Sequence, residues 1–478
     1  MCTYKLQDYL KEYSKLPLIK TGKDIVTFNE IREKSDVYFK ELAILEGKRV
    51  AVVPFPSPET ITLLCALIRL NSQIVLLSPF DPPSLIHNYV NEIQISVLFC
   101  EDKYLDKYKD IPIPVLPIKK IGDINPYCIS GKRKINTYET GEKSTFVILT
   151  SGSSSSPKKV VLSLNNLLTN AHYSNKNLPF QQGDTWLLSL PLFHVSGLSI
   201  FFRSIESGGT VFIPPENIRW WEVSLPVGIT HISVVSTVMK RLLNRERYFL
   251  GKNPKGILLG GGPIPEGIVY DCYNLGLPLY TTYGLTEMAS QVTTSCSNDS
   301  LSHLLTSGKP LSPDTVKIDE EGGILVRGPC RFQGYLHENT LEQPFDNEGW
   351  FATQDIGSWT MDGYLKVLGR RDNVFICGGE NIQPEVIENQ IMSSGCVNRV
   401  IVVPMKNEEY GYIPVAFVEY SEGKTENDLK NYLRERISGI KIPRYFFSFP
   451  EEFEGKGIKI SRKKLTEWLY KDKERTGM

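Results

Sequence analysis

The chain has 478 residues, of which 41% are hydrophobic and 23% charged, and its 54 lysines and arginines balance its 54 aspartates and glutamates. A chain of this length is too long for a single hydrophobic core, so we expect two or more domains. The balanced charge gives no overall field that would attract nucleic acid or an anionic membrane, which excludes the strongly basic classes of binding protein.

The start of the chain and its cysteines indicate the compartment. Residues 1–15 carry charge in every turn and lack the apolar segment of a signal peptide. The longest apolar stretches, such as residues 61–70, are too short for membrane insertion. The nine scattered cysteines include no Cys-x-x-Cys pair, and the six histidines show no metal-ligand spacing. We therefore expect a cytoplasmic protein with neither a zinc site nor a disulfide framework.

From residue 48 onward, strand-like and helix-like runs alternate. The first runs predict strands at 49–54, 73–77 and 95–100, with helices at 59–70 and 84–93. The same rhythm continues at 184–190, 197–207, 210–214, 256–259 and 277–281. Alternation on this scale predicts parallel sheets covered by helices, with ligands at the carboxyl ends of the strands.

The pattern changes in the last third of the chain. Short strands and glycine turns fill 323–328 and 363–369, and a compact tail then mixes helices at 385–394, 425–437 and 462–471 with strands at 399–403 and 414–420. The charged turn GRRDN, residues 369–373, separates the two patterns, although an ordinary exposed linker would look the same. The predicted fold class is α/β. It has a large N-terminal domain (1–370) of parallel sheets covered by helices plus a small β subdomain, and a smaller C-terminal α+β domain (371–478).

Residues 146–161, FVILTSGSSSSPKKVV, form a predicted strand that stops abruptly in a hydroxyl-rich loop. The loop combines hydroxyl donors, backbone N–H groups and the Lys158 cation, which suits a polyphosphate. A serine-rich flexible linker is the alternative. The loop lacks the pattern of P-loop kinases and GTPases, because Pro157 and not glycine precedes Lys158 and because Lys159 follows it.

A second hydroxyl-rich segment, TTYGLTEM, occupies residues 281–288. Together the two segments resemble the ATP-binding signatures of the adenylate-forming superfamily, which contains acyl-CoA and aryl-CoA ligases, luciferases and carrier-loading adenylation domains. Where that family has two glycines in the first loop, this chain has Ser155 and Lys159. If the family's backbone needs a positive φ there, each side chain costs about 1 kcal/mol. The matching loop residues are Thr150, Ser151, Gly152, Ser153, Ser154, Pro157 and Lys158.

The resemblance assigns roles around ATP and magnesium. Thr286 matches a hydroxyl donor to the α-phosphate, and Glu287 matches the magnesium-binding acid. Tyr283 matches the adenine pocket, together with a glycine turn. Each piece also has an ordinary interpretation, since such turns are common and Thr-Glu often begins a helix. The glycines of the turn are Gly260, Gly261 and Gly262.

Three further residues match the ribose site and the hinge. Asp355 matches the carboxylate that binds both ribose hydroxyls, although the family usually has glycine where this chain has Gln354. Arg370 matches an arginine that hydrogen-bonds the ribose. Asp372 matches the hinge about which a mobile C-terminal lid domain rotates. A lone Asp355 is more typical of a turn cap, but the pieces follow the family's order and approximate spacing from residue 150 to residue 462.

The tail segment GIKISR, residues 457–462, resembles the family segment whose lysine bridges the attacking carboxylate and the α-phosphate. Lys459, three residues before Arg462, fits that spacing best, and Lys456 is the fallback. Lysine suits the role because its flexible side chain delivers a point charge that withdraws when the domain rotates. Local sequence alone favours an ordinary surface lysine.

Two residues concern the acid substrate. His194 matches a family histidine beside the substrate carboxylate, although a lone histidine in apolar sequence is more often a core residue. Arg203 interrupts an apolar helical run between residues 197 and 207. A guanidinium there must be paired, and a carboxylate suits it in bidentate geometry. An internal salt bridge, for instance with Glu206, is the alternative.

Four segments narrow the resemblance to the bacterial 2-succinylbenzoate–CoA ligases of menaquinone biosynthesis. The resemblance implies a ligase that uses ATP, Mg²⁺ and coenzyme A to make an acyl-adenylate and then a thioester, with Arg203 at the aromatic acid. A fatty-acyl or other aryl-CoA ligase, a carrier-protein-loading enzyme and a catalytically inactive nucleotide-binding module remain alternatives, and the oligomeric state stays unknown. The segments are LSLPLFHVSG with the following FFR, GWFAT, FICGGENIQPEVIE, and GIKISR with the helix around Trp468.

Overall fold

A computed structural model describes residues 5–123, 145–150, 157–216, 220–222, 228–244, 254–296, 298–453, 460 and 462–476. Its helices are α1 (Leu6–Glu12), α2 (Phe28–Glu41), α3 (Pro58–Arg69), α4 (Pro83–Glu92), α5 (Leu105–Tyr108), α6 (Leu164–Asn177), α7 (Val195–Ser207), α8 (Ser236–Leu243), α9 (Glu266–Asn274), α10 (Leu301–Leu304), α11 (Pro384–Ser393), α12 (Glu426–Arg434) and α13 (Arg462–Thr476).

The strands of the first two-thirds are β1 (Pro17–Lys20), β2 (Ile25–Thr27), β3 (Arg49–Val52), β4 (Gln73–Leu76), β5 (Val97–Cys100), β6 (Val115–Pro117), β7 (Thr145–Thr150), β8 (Lys158–Ser163), β9 (Thr185–Leu187), β10 (Thr210–Phe212), β11 (His231–Val234), β12 (Gly256–Leu259), β13 (Leu279–Leu285), β14 (Ser290–Thr294), β15 (Lys309–Pro310) and β16 (Val316–Ile318). The remaining strands are β17 (Gly323–Val326), β18 (Gly334–His337), β19 (Thr340–Glu342), β20 (Phe351–Trp359), β21 (Leu365–Arg370), β22 (Phe375–Cys377), β23 (Glu380–Ile382), β24 (Val397–Asn407), β25 (Gly411–Tyr420) and β26 (Phe446–Ser448).

Two large sheets have parallel centres. Within the described residues, one has the strand order β19-β18-β8-β7-β4-β3-β5-β6, in which β7, β4, β3, β5 and β6 run parallel. The other has the order β15-β14-β13-β12-β11-β9-β10-β1-β2, in which β13 through to β1 run parallel. Apolar side chains of both sheets and of α3, α6 and α7 form one shared core.

Local sequence explains where the central helices begin. α3 begins at Pro58 because Ser57 accepts a hydrogen bond from the Thr60 amide and proline is tolerated in the first turn. Ser163 and Asn166 form a reciprocal capping box at the start of α6. A side-chain cap of this kind contributes about 1 kcal/mol to stability. These caps fix where α3 and α6 begin, and the shared apolar core packs both helices against the sheets.

Two smaller sheets follow along the chain. β16, β17, β20 and β21 form an antiparallel sheet, and β22 to β26 form another with α11, α12 and α13. Residues between 375 and 469 have their own hydrophobic core. The predicted α/β class, with a large N-terminal part of parallel sheets, a small β part and a smaller C-terminal part, is therefore confirmed. No helix in the described ranges has both the length and the apolarity that a membrane span needs.

Of the predicted elements whose ends differ from the observed ones, the strand at 277–281 matters most for the candidate site. The segment TTYGLTEM was expected to follow a strand at 277–281, but β13 continues to Leu285 and contains five of its residues. The antiparallel partner β14 explains the extension, since it pairs with Thr282, Tyr283, Gly284 and Leu285. This pairing places Tyr283 on a strand, so its side chain has a fixed direction.

Candidate active site

Asp355 lies at the centre of a group of polar side chains contributed by three strands. Tyr283 Oη donates a hydrogen bond of 2.6 Å to Asp355 Oδ2, and Arg370 Nη1 donates one of 3.2 Å to Oδ1. Arg370 also binds Asp372 through two hydrogen bonds of 3.0 and 3.3 Å. The structure thus brings together four of the predicted nucleotide and hinge residues, from β13, β20, β21 and the turn after β21.

Burial controls the protonation of this group. It raises the pKa of the Asp355 carboxyl, and the hydrogen bond from Tyr283 and the charge of Arg370 partly offset the increase. Burial and the neighbouring Asp355 carboxylate raise the pKa of Tyr283 well above its usual value. The Tyr283 hydroxyl therefore keeps its proton and donates. The Asp355 oxygens accept from Tyr283 and Arg370, and such an acceptor suits the paired hydroxyls of a ribose.

The backbone immediately before Asp355 is strained. Gln354 has φ +67°, in the left-handed region that favours glycine, so its side chain costs about 1 kcal/mol. The register between β17 and β20 shifts here, because Leu325 pairs with Ala352 whereas Gly323 pairs with Ile356. The shift is a β-bulge, which turns a strand and re-aims its side chains. It explains physically why glycine is favoured at this position and why Asp355 is no turn cap.

The glycine turn after β12 lies beside Tyr283, because β12 and β13 are parallel neighbours with Leu259 opposite Thr281. A Cβ on Gly260 would come within 2.5 Å of the Thr282 side chain and 2.9 Å of its carbonyl oxygen. Gly261 has φ +81°, and a Cβ on Gly262 would meet no atom within 4 Å. Gly260 and Gly261 are therefore required by the fold, while Gly262 leaves open space next to the Tyr283 strand.

Thr286 and Glu287 form a single turn between β13 and β14. The Ala289 amide donates to the Thr286 carbonyl at 3.0 Å, and the Phe332 amide donates to the Glu287 carbonyl at 2.7 Å. These two backbone bonds fix the turn from both sides. The Glu287 carboxylate is a hard oxygen ligand of the kind that Mg²⁺ prefers, and the Thr286 hydroxyl beside it is a hydrogen-bond donor.

This donor set fits magnesium and does not fit zinc. In the described ranges, no group of three or more His, Cys, Asp or Glu side chains is arranged to hold a metal ion. Mg²⁺ usually binds through one or two carboxylates together with substrate phosphates and water, and it needs no cage of protein ligands. A single carboxylate such as that of Glu287 is therefore compatible with such a site.

The hydroxyl-rich loop connects the facing ends of β7 and β8, where Thr150 pairs with Lys158. Its central residues Ser151, Gly152, Ser153 and Ser154, and also Ser155, lie outside the described residues. Lys159 has the extended conformation of a strand and is buried, and its ammonium group binds Glu92 Oε1 at 2.5 Å. The backbone cost considered for a side chain at Lys159 therefore does not arise.

Arg203 is fully buried in α7 among neutral partners. Its Nε donates to Ser174 Oγ at 2.8 Å and its Nη2 to Gln291 Oε1 at 2.7 Å, and the guanidinium lies 4.9 Å from the Trp186 ring centroid. Within the described part of the chain no carboxylate pairs with it. Burial accordingly lowers the pKa of Arg203.

The alternative prediction, an ion pair between Arg203 and Glu206, is wrong. Its carboxylate binds His172 Nδ1 at 2.6 Å and Asn175 Nδ2 at 2.7 Å, both on the neighbouring helix α6. His194 lies at the start of α7 and is exposed, with its ring 4.5 Å from that of Phe193. His194 and Arg203 therefore occupy different environments on one helix, separated by nine residues or about 13 Å of helical rise.

In the C-terminal part, Arg462 begins α13 and is held by two carboxylates. Its Nη1 donates to Glu385 at 3.1 Å and its Nη2 to Glu388 at 2.5 Å. The predicted catalytic lysine Lys459 and its fallback Lys456 lie outside the described residues. The arginine that follows them is thus fixed, while the geometry of the lysines themselves is not described.

Two functional candidates did not emerge from the sequence. Tyr335 donates to Glu287 across 48 residues of chain, and Gln291 accepts from Arg203 across 88 residues. No local motif or periodicity marks either partner, because each contact depends on how separate strands are paired. The one sequence feature that marks Gln291 is its side-chain amide, which stands in the otherwise hydroxyl-rich strand β14.

The chain matches known proteins over most of its length. A family model described as AMP-binding enzyme covers residues 10–336, and one described as AMP-binding enzyme C-terminal domain covers residues 386–456. The 2-succinylbenzoate–CoA ligase of Haemophilus influenzae is 32% identical over 473 residues, which are 96% of each chain. The family models include the segments of Lys158, Tyr283 and Glu287, and the alignment with the relative covers nearly the whole chain.

Solved structures show the same likeness. The o-succinylbenzoate CoA synthetase of Bacillus subtilis, in complex with the acyl-adenylate intermediate OSB-AMP, superposes with a TM-score of 0.80 at 27% identity, over 93% of this chain and 94% of that one. The same synthetase in complex with ATP and magnesium ion also has a TM-score of 0.80 at 27% identity, over 93% and 95% of the two chains.

Proposed function

Because the chain belongs to the AMP-binding enzyme family, we propose that it is an ATP-dependent 2-succinylbenzoate–CoA ligase of menaquinone biosynthesis. In the first step the substrate carboxylate attacks the α-phosphorus of ATP and expels pyrophosphate, which leaves an acyl-adenylate. In the second step the thiol of coenzyme A attacks the acyl carbon and releases AMP. The two steps are needed because a free carboxylate is a poor electrophile with a poor leaving group.

The buried Arg203 is the observation that carries the choice of substrate. An isolated buried cation is costly, and a carboxylate is its best partner. Its described partners Ser174 and Gln291 are neutral, so the positive charge of Arg203 is available to bind a substrate carboxylate. 2-Succinylbenzoate has two carboxylates, one to be activated and one left over. We assign the second carboxylate to Arg203 and place His194 beside the carboxylate that reacts.

The group around Asp355 supports nucleotide binding. Its carboxylate receives hydrogen bonds from Tyr283 and Arg370 and is thereby oriented to accept from ribose hydroxyls. The open space at Gly262, beside Tyr283, suits the adenine ring. Thr150, Lys158 and Thr286 supply a hydroxyl, a cation and a second hydroxyl for the phosphates, with the serines of the intervening loop as further donors.

Glu287 is proposed to hold the magnesium ion. When bound, this ion neutralises phosphate charge and so favours attack at the α-phosphorus. Glu287 itself contributes a carboxylate that the Tyr335 hydroxyl orients, while the Phe332 amide holds its main-chain carbonyl. Thr286, at the preceding position, directs its hydroxyl to the same phosphate.

We further propose two domains, 1–370 and 371–478, with Asp372 as the hinge and Lys459 as the catalytic lysine of the C-terminal lid. The separate hydrophobic core between residues 375 and 469 supports this division. So do the two family models, which match residues 10–336 and 386–456. The seven described cysteines are all unpaired, which supports a cytoplasmic location.

A panel of acids tests the proposal. The protein is incubated with ATP, Mg²⁺, coenzyme A and one of 2-succinylbenzoate, benzoate, octanoate or palmitate, and AMP and thioester are measured. We expect AMP and thioester with 2-succinylbenzoate only. Preference for a monocarboxylate would indicate a fatty-acyl or other aryl-CoA ligase. Pyrophosphate release without thioester would point to a carrier protein as acceptor, and no acid-dependent release would point to a nucleotide-binding module.

A further inference from the structure

Tyr335 contacts two predicted active-site residues at once. Its hydroxyl donates a hydrogen bond of 2.7 Å to Glu287 Oε1, and the Lys158 ammonium lies 4.7 Å from the centre of its ring. Glu287 is proposed to bind magnesium and Lys158 to bind phosphate. Tyr335 therefore joins the proposed magnesium ligand to the proposed phosphate-binding cation.

The neighbours of Tyr335 hold it in one place. It lies on β18, which pairs with β8 so that Tyr335 is opposite Val160, two residues beyond Lys158. Its ring packs against Phe332 at 4.9 Å and Phe351 at 6.4 Å, both in edge-on geometry. With 6% of its surface exposed, Tyr335 has little freedom to turn away.

The Tyr335 hydroxyl acts as a hydrogen-bond donor towards Glu287. An ionised carboxylate oxygen only accepts hydrogen bonds, so the Tyr335 phenol is the donor in this contact. Occupying Oε1 of Glu287 leaves the second carboxylate oxygen to face a cation. An outer partner that fixes a metal-binding carboxylate in this way increases metal affinity.

We propose that Tyr335 is a positioning residue for the metal-dependent step, in which its hydroxyl orients Glu287 for Mg²⁺ and its ring face locates Lys158 for the phosphates. The assignment rests on the proposed ATP-dependent adenylation. It adds a residue that touches neither nucleotide nor metal and acts through two residues that do.

Another tyrosine in the same chain provides a matched control. The Tyr364 hydroxyl donates to Asp299 Oδ1 at 2.8 Å, and the Lys309 ammonium lies 4.6 Å from the Tyr364 ring centre. Tyr364 thus has the same carboxylate and the same cation contact as Tyr335, but among residues without a proposed catalytic role. Any general effect of losing a buried phenol would appear at both tyrosines.

The test measures binding by the full-length protein without acid or coenzyme A. Calorimetry follows ATP binding at a series of Mg²⁺ concentrations, and electron paramagnetic resonance follows Mn²⁺ as a substitute ion. For Tyr335→Phe we expect metal affinity in the presence of ATP to fall about tenfold, while ATP affinity at saturating Mg²⁺ stays unchanged because the ring remains. For Tyr335→Leu we expect ATP affinity to fall several-fold even at saturating Mg²⁺, since the ring face is lost.

The outcomes separate this proposal from its alternatives. The proposal would be overturned if Tyr335→Phe kept the metal affinity of the wild type. It would also be overturned if Tyr364→Phe lost as much metal affinity as Tyr335→Phe, since either result would mean that Tyr335 only packs in the core. Thermal melting of each variant checks that it is folded. If the wild-type protein binds Mg²⁺ and ATP but releases no AMP with any acid, the proposed function fails while the role of Tyr335 in metal binding still stands.

Discussion

Tyr283 and Asp355 are 72 residues apart in the chain, yet the Tyr283 hydroxyl donates a hydrogen bond of 2.6 Å to the Asp355 carboxylate. The bond joins β13 of the nine-stranded sheet to β20 of the small antiparallel sheet. The proposed ribose site is therefore built where two sheets meet, and its acceptor is oriented before any ligand arrives.

Replacing Asp355 by asparagine should separate stability from binding. Because burial raises the pKa of this carboxyl, folding disfavours its charged form, so its contribution to stability is best at low pH and is lost as the pH rises through the raised pKa. Asp355→Asn should therefore melt at a higher temperature than wild type at neutral pH, with a difference that shrinks towards pH 4. ATP affinity should fall at least about tenfold, since one charge-assisted bond is lost.

The exposed Asp362 is the control for the sign of this effect. Hydrogen bonds from Thr360 and His303 lower the pKa of its carboxyl, so its stabilising contribution is present above the ordinary pKa of an aspartate and is lost on acidification. Asp362→Asn should thus melt lower than wild type at neutral pH and leave ATP binding intact. If the two variants changed melting temperature and ATP affinity in the same direction, the assignment of Asp355 to the ribose site would be contradicted.

Gln354→Gly should stabilise the protein. Glycine adopts the left-handed backbone at this position without strain, so we expect the free energy of unfolding to rise by about 0.5–1 kcal/mol, measured by urea denaturation. Ala352→Gly, two residues earlier on the exposed face of the same strand, should instead lower it by about 0.5–1 kcal/mol. A loss of stability in Gln354→Gly would show that the bulge is held by the side chain and not merely tolerated.

Arg203→Met tests the second carboxylate. We expect kcat/KM for 2-succinylbenzoate to fall about a hundredfold or more, since the leftover carboxylate would be buried without a partner. The folded protein should also lose some stability, because methionine removes the donor that the buried Ser174 hydroxyl and Gln291 amide oxygen have in the wild type. The control Arg69→Met removes a partly exposed pair with Asp36 and should leave kcat/KM unchanged. Equal effects of the two substitutions would argue against Arg203 as the specificity residue.

Lys459→Ala should divide the two half-reactions. We expect adenylate formation, measured as acid-dependent pyrophosphate release, to be abolished, because the lysine is proposed to bridge the attacking carboxylate and the α-phosphate. Thioester formation from supplied acyl-adenylate should largely persist. Lys456→Ala is the control and should retain both activities. If both half-reactions fell equally in Lys459→Ala, the lysine would have another role.

Much of the fold could be predicted from local sequence. The strand at 256–259 was predicted with its observed bounds, and α3 was predicted to within one residue at each end, because Ser57, Pro58 and an unbroken apolar run mark it. The end of β13 was missed, since the strand continues only because β14 pairs with it. Local pattern carries propensity and caps but not the partner that a strand acquires in the folded protein.

The residues of the candidate site were also predicted only in part from the sequence. Motif resemblance supplied residues such as Asp355, Glu287 and Arg370. The structure pairs Arg370 with Asp355, and the charge of Glu287 is near enough to contribute to the raised pKa of Asp355. It did not supply Tyr335 or Gln291. The suggested pair of Arg203 with Glu206 was wrong because His172 and Asn175 of α6 bind Glu206 instead. Helical spacing shows which side chains are neighbours on one helix, but competition from an adjacent helix decides the pairing.

The ion pair between Lys159 and Glu92 has an evolutionary consequence. A relative with glycine at the position of Lys159 has no cation there to pair with a carboxylate at the end of α4. A relative with lysine at that position but a neutral residue at the end of α4 would have a buried charge without a partner. The two positions should therefore change together across the family. Loss of Glu92 should be the costlier single change, because the Lys159 side chain is 4% exposed whereas that of Glu92 is 38% exposed.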